Sequence, residues 1–185
     1  QGVLLRLEEL QFTEFDSHLF TDAGRHYRIY EKLGSHLVQV GEHLFGTYFA
    51  VWAPNAQEVA VIGDFNGWND TANYMYRLES TGIWVVYIPG VTKGNLYKFS
   101  VKGSDGIVRK KSDPYVFFNQ FPTQDEPGSN ASIVWDPAYS WGDAGWMAER
   151  QEKQALNASI SIYEVHLGSW QRKEDGSWLN YRELA

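Results

Sequence analysis

The chain has 185 residues, enough for one domain with flanking structure and long enough to bury a core without covalent staples. It contains no cysteine, which excludes disulfides and thiolate ligands and fits a reducing, cytoplasmic setting. A formal net charge of −7 argues against a nucleic-acid partner, since the one dense basic run, Arg109-Lys110-Lys111, would be split between the two faces of a strand. No apolar run is long enough for a secretory signal or a membrane span. Aromatic residues make up 16% of the chain, with 8 Trp, 11 Tyr and 10 Phe. They suit either a β core or exposed platforms for sugar rings, whose C–H faces can lie on an indole.

Residues 1–33 read as an N-terminal arm or linker with little to bury. Leu4, Leu7 and Leu10 predict a short helix over Val3–Leu10, and Asp22-Ala23-Gly24-Arg25 predicts a turn. From about Leu44 to Trp135 the period changes to two. Strands are predicted over 46–52, 58–63, 83–88, 96–102, 107–111 and 131–135, separated by turns such as Pro54-Asn55, Asp64-Phe65-Asn66-Gly67 and Ser104-Asp105-Gly106. Short strands punctuated this way predict an antiparallel, immunoglobulin-like β-sandwich over 34–136. A linker follows over 137–159, with a short helix through Trp146, Met147 and Arg150 that Asp143 could cap. Ile160–Leu167 then predicts a strand and Tyr181–Leu184 the start of a helix. Over 160–185 this is the opening of a β/α unit with no partner strand, so the chain reads as truncated.

No residue pattern inside the chain predicts catalysis. The acids Asp64, Asp70, Asp105, Asp113, Asp125 and Glu126 are scattered over loops, and no pair has the placement of two carboxylates across a glycosidic bond. The five His (His18, His26, His36, His43, His166) lack metal-ligand spacing, so no metal is expected. There is no Gly-x-Ser-x-Gly nucleophile motif and no phosphate-cradling loop. Trp68 is the more suggestive residue. It sits in a polar, glycine-flanked turn, where it reads either as a sugar platform or as a loop anchor, with fewer neighbours to bury it than Trp52 or Trp84. Lys98, on the polar face of its strand, is either a donor to sugar hydroxyls or a solvated lysine.

The stretches Phe49–Ala56, Val61–Trp68, Gly82-Ile83-Trp84, Tyr97-Lys98-Phe99 and Lys111–Tyr115 resemble the N-terminal β-sandwich of glycogen branching enzymes. Tyr30–His36 resembles the segment leading into it. Ile160–Trp170 and Tyr181–Ala185 resemble the first strand and first helix of that family's α-amylase-type (β/α)8 barrel. The Tyr163–Trp170 stretch is specific, whereas Trp52–Ala56 is shared with debranching relatives. The resemblance implies a parent enzyme that cleaves α-1,4-glucan through a covalent glucosyl intermediate and passes the chain to a 6-hydroxyl, with no metal or organic cofactor. It also implies α-1,4-glucan or glycogen, and the rest of the catalytic barrel, as partners. The family's catalytic carboxylates lie at later barrel strands, so none is expected before Ala185 and the chain alone is expected to be inactive.

Related glycogen-binding modules hold sugar with a Trp matching Trp68, a Lys matching Lys98, a second Trp in the next hairpin, and an Asn before the last strand. Here Val108 stands near the second Trp, and Asn130 or Ser132 near the Asn. With one platform fewer, weak binding is expected. Trp141 and Trp170 read as interdomain packing residues. Three alternatives remain on sequence: a debranching relative, a non-catalytic glycogen-targeting module, and a packing domain without sugar affinity.

Overall fold

The computed structural model describes residues 5–22, 24–40, 44–78, 81–124 and 127–185. His43, Asp125, Glu126, Ala23 and the first residues of the expected N-terminal helix lie outside them. The chain divides into two compact units, Gln1–Tyr139 and Ser140–Ala185.

The first unit is a sandwich of two β-sheets. One carries β2 (Gly34–Val40), β3 (Leu44–Trp52), β6 (Ile83–Pro89) and β5 (Tyr76–Leu78) in that order, all antiparallel. The other orders β4 (Glu58–Gly63), β7 (Leu96–Lys102), β10 (Ser132–Ile133) and β9 (Phe118–Asn119), again antiparallel. One edge of β7 is shared: β10 pairs with Leu96 and Tyr97, and β8 (Val108–Lys111) pairs with Phe99–Lys102. The expected strands at 46–52, 58–63, 83–88, 96–102 and 107–111 therefore form. The expected strand at 131–135 shortens to two residues, and β2, β5 and β9 are additions to the sequence reading.

Alternation makes the core. Phe49, Val51 and Trp84 from the first sheet meet Val59, Val61, Tyr97 and Phe99 from the second. The Phe49 and Tyr97 rings meet edge to face at 4.9 Å, and Trp84 Nε1 donates to the Ala53 carbonyl at 3.0 Å, so a buried indole N–H keeps a partner. The Tyr97 hydroxyl donates to buried Asp113 at 2.5 Å.

The outer face of the first sheet is covered by the segment that the sequence reading left with little to bury. β1 (Leu5–Arg6) pairs with β2 in parallel, and α1 (Leu7–Leu10) follows it. Leu10, Ile29 and Leu33 then pack with Val38, Tyr48, Ala50 and Ile83 into a second apolar cluster. The arm is fastened at Asp16, 7% exposed, in α2 (Glu14–Ser17). Its carboxylate accepts from the Thr13 N–H at 2.8 Å, from His26 Nε2 at 2.9 Å and from Lys32 Nζ. Burial alone would raise the Asp16 carboxyl, but these bonds outweigh it and hold the group well below the ordinary carboxylate range. Sequence periodicity gave no sign of this because the partners lie 10 and 16 residues away.

The second unit contains α3 (Ala144–Lys153), α4 (Leu167–Trp170) and α5 (Tyr181–Leu184). Asp143 occupies the N-cap position of α3 without a side-chain capping bond. Asn180 caps α5 through its side chain, which accepts from the Arg182 and Glu183 amides. The strand expected over Ile160–Leu167 is not formed: 160–166 are irregular, and Leu167 opens α4. An extended apolar segment becomes a strand only when a neighbour takes its backbone hydrogen bonds. Among the described residues none pairs with 160–166, and Ile160, Ile162 and Tyr163 are exposed. No helix among the described residues is long and apolar enough to cross a membrane.

Candidate functional site

The register of the second sheet decides which side chains share its outer face. Tyr97 and Phe99 turn to the core, so Leu96, Lys98, Ser100 and Lys102 turn outward. Ile62 lies directly across from Lys98, and Lys110 and Val108 lie across from Ser100 and Lys102.

Trp68 belongs to the turn that leaves β4 one residue beyond Ile62. The turn is tied down at every step. Gly63 N–H donates to Asn66 Oδ1 at 2.9 Å, and Asn66 Nδ2 donates back to the Val61 carbonyl at 2.9 Å and to Asn73 Oδ1 at 2.7 Å. Asp64 accepts from Asn95 Nδ2 at 3.0 Å and from the Leu96 N–H at 3.1 Å, which anchors the turn to the start of β7. A Cβ at Gly63 would stand 2.2 Å from the Leu96 carbonyl oxygen, so only glycine fits beneath the turn. Gly67 and Trp68 then take left-handed backbone, φ 64 and 59, and the Trp68 N–H donates to the Gly63 carbonyl at 2.8 Å. Trp68 is the sole non-glycine residue with positive φ among those described. Its side chain is partly buried, and among the described residues no ring contact or hydrogen bond engages the indole.

Lys98 and Asn130 are brought together. Lys98 Nζ donates to Asn130 Oδ1 at 2.6 Å across 32 residues, and the Ser112 hydroxyl fixes the Asn130 carbonyl at 2.6 Å. Asn130 is exposed, whereas Ser132, the other sequence candidate, is fully buried and accepts from the Asp113 N–H at 2.9 Å. Of the two, Asn130 is the one that Lys98 engages. Because Asn130 Oδ1 is spent on Lys98, its amide N–H groups remain as donors, beside the two N–H bonds that Lys98 keeps. Fixed donors suit the oxygen-rich edge of a sugar ring, and an indole suits its apolar face.

Sequence reasoning missed the supports and misjudged one ring. The Ser112–Asn130 and Asn95–Asp64 bonds carry no local signal, since they span 18 and 31 residues, whereas Asn66 stands in the turn that the sequence marked. Trp52, read as better buried than Trp68, is 52% exposed, because alternation turns it to the outer face of the first sheet, edge-on to Phe20. The hairpin position of the expected second platform holds Val108, exposed. It shares a cavity of about 120 Å³ with Tyr74, Thr71, Ser100 and Lys102. A larger cleft of about 400 Å³, lined by Ala53, Pro54, Val101 and Arg109, lies at the opposite end of β7 from Lys98.

The sandwich is similar to a known family of modules. Residues 32–116 match carbohydrate-binding module 48, the isoamylase N-terminal domain. Trp68 and Lys98 lie inside the matched stretch of the module, and Asn130 lies beyond it. Curated relatives extend the likeness to nearly the whole chain. The 1,4-alpha-glucan branching enzyme GlgB of Thermosynechococcus vestitus is 49% identical over 161 residues, 86% of this chain and 20% of its own. The enzymes of the same name from Gloeobacter violaceus and Marinobacter nauticus are each 45% identical, over 94% and 97% of this chain and 23% and 27% of their own. The chain therefore spans about a fifth to a quarter of the length of the relatives it matches. The resemblance to branching enzymes read from the motifs is matched by these relatives. Among solved structures, ligand-free PulA from Klebsiella pneumoniae covers 56% of this chain and 9% of its own at 24% identity, with a TM-score of 0.43.

Proposed function

We propose that this chain is the N-terminal, glucan-associated part of a 1,4-α-glucan branching enzyme, and that its module holds α-1,4-glucan on the outer face of the second sheet. The observation that carries the reading is the Lys98–Asn130 hydrogen bond beside the pinned turn that presents Trp68. A glucose ring would lie on the indole while its hydroxyl oxygens accept from Lys98 and from the Asn130 amide. In the parent enzyme a retaining pair of carboxylates performs the transfer of cleaved chains into α-1,6 branches, and the module steers long chains toward them. Those carboxylates belong to barrel strands other than the residues described here. Residues 160–185 supply the first strand and first helix of that barrel, and the strand forms when barrel neighbours take its backbone hydrogen bonds. The sandwich is of the immunoglobulin-like kind, and the enzyme works in the cytoplasm without metal or organic cofactor.

Affinity electrophoresis tests the proposal. In a native gel containing glycogen the chain is retarded relative to a gel without it, and Trp68→Ala restores free mobility. Equal mobility of both proteins in both gels would make the module a packing domain without glucan affinity.

A further inference from the structure

The second sheet continues beyond the residue that Lys98 engages. The ladder pairing Ser132 with Asn119 and Ile133 with Phe118 is extended by the Gln120 N–H, which donates to the Ala131 carbonyl at 2.9 Å. The next residue, Phe121, is thereby set alongside Asn130, and its carbonyl accepts from the Ser129 hydroxyl at 3.3 Å. Phe121 is 72% exposed and Phe118 36% exposed, and their rings meet edge to face at 5.9 Å. Phe118 also leans on Trp135, with centroids 4.8 Å apart, and the Lys93 ammonium sits 4.2 Å from the Trp135 centroid. Trp135 is thus held between a cation and a ring, which leaves Phe121 and Phe118 as the open aromatic surface.

Two features separate this cluster from scattered exposed apolar residues. It is continuous in the backbone with the residue that Lys98 engages, and it is interleaved with polar groups: Asn130 on one side and Lys93 on the other. Aromatic faces rimmed by amide and ammonium donors suit a chain of pyranose rings better than an apolar helix or strand, which would leave those donors without partners. Resting on the reading that Trp68 and Lys98 hold α-1,4-glucan, we propose that Phe121 and Phe118 form a second glucan subsite. It extends the bound chain beyond Asn130 and takes over the contact that Val108 no longer offers. The occupant is a longer run of the same α-1,4-glucan, so its contribution depends on chain length.

Calorimetric titration of the 185-residue chain with maltotriose and maltoheptaose tests this. Phe121→Ala is expected to weaken maltoheptaose about fivefold and to leave maltotriose unchanged, whereas Phe121→Tyr keeps both and Trp68→Ala weakens both. Circular dichroism checks the fold of each variant, and the exposure of Phe121 means that its removal opens no core cavity. If Phe121→Ala binds maltoheptaose like the parent while Trp68→Ala loses it, the second subsite is overturned and the first reading stands. If neither sugar binds the parent chain, both fail. If Phe121→Ala abolishes self-association in sedimentation while both sugars bind as before, the cluster serves a second copy of the chain and the proposal is likewise overturned.

Discussion

At the scale of single residues, Trp68 shows a cost accepted at the place proposed to bind. Left-handed backbone brings Cβ too close to the following carbonyl and costs a bulky residue about 1–2 kcal/mol, so glycine is the residue such a turn favours. Gly67 supplies the first left-handed position without strain, and Trp68 takes the second against its preference. The strain predicts an ordering of variants: Trp68→Gly should be more stable than Trp68→Ala by about 1 kcal/mol in urea denaturation, because alanine keeps the unfavourable Cβ. Equal stabilities would mean that the turn relaxes once the indole is gone. The place of Trp68 in a glycine-flanked turn was legible, but the sign of its φ was not. The Lys98–Asn130 bond was legible only as a resemblance, since no local spacing couples residues 32 apart and only the sheet register brings them together.

At the scale of elements, strands with clear alternation or an unbroken apolar run were readable, and the rest were not. β7 alternates in sequence, whereas β4 was readable as the unbroken apolar run Val59-Ala60-Val61-Ile62, all of it buried. β5 and β9 are three and two residues long and largely exposed, so they owe their existence to the neighbour they pair with. Ile160–Leu167 has as strong a pattern as any, yet forms no strand, which shows pairing rather than propensity to be the limiting factor.

Asp113 illustrates how elements are joined. Its carboxylate accepts from the Tyr97 hydroxyl and, at 2.8 Å, from the Tyr115 N–H, linking the segment after β8 to β7. Burial pushes this carboxyl up to about 6 from 3.8, despite both bonds. A raised carboxyl favours the protonated native state, so its contribution is fully present below pH 3.8 and lost as the pH rises through about 6. The loss is about 3 kcal/mol. His36 works oppositely: burial lowers its imidazole, and its contribution is lost as the pH falls through and below 6.5. Stability measured for the parent minus that for Asp113→Asn cancels the His36 contribution. That difference should grow by about 2 kcal/mol between pH 7.5 and 4.5. A difference independent of pH would mean that Asp113 is not desolvated as described.

At the scale of the molecule, the first unit is a sandwich whose two outer faces differ. The arm through Asp16, His26 and Lys32 closes the outside of the first sheet, while the outside of the second carries Lys98 and adjoins Trp68 and Asn130. Strand periodicity predicted the sandwich, because its core rests on alternation within strands. It could not predict the cover, which rests on contacts distant in sequence. The measurement closest to the central claim is an ¹H–¹⁵N NMR titration of this chain with maltoheptaose. Glucan on the face that carries Lys98 should shift the Trp68 indole and the Lys98 and Asn130 amides, while Ala56 and Ser104 in the larger cleft stay fixed. Shifts confined to Ala56, Ser104 and Arg109, or no shifts at all, would contradict it.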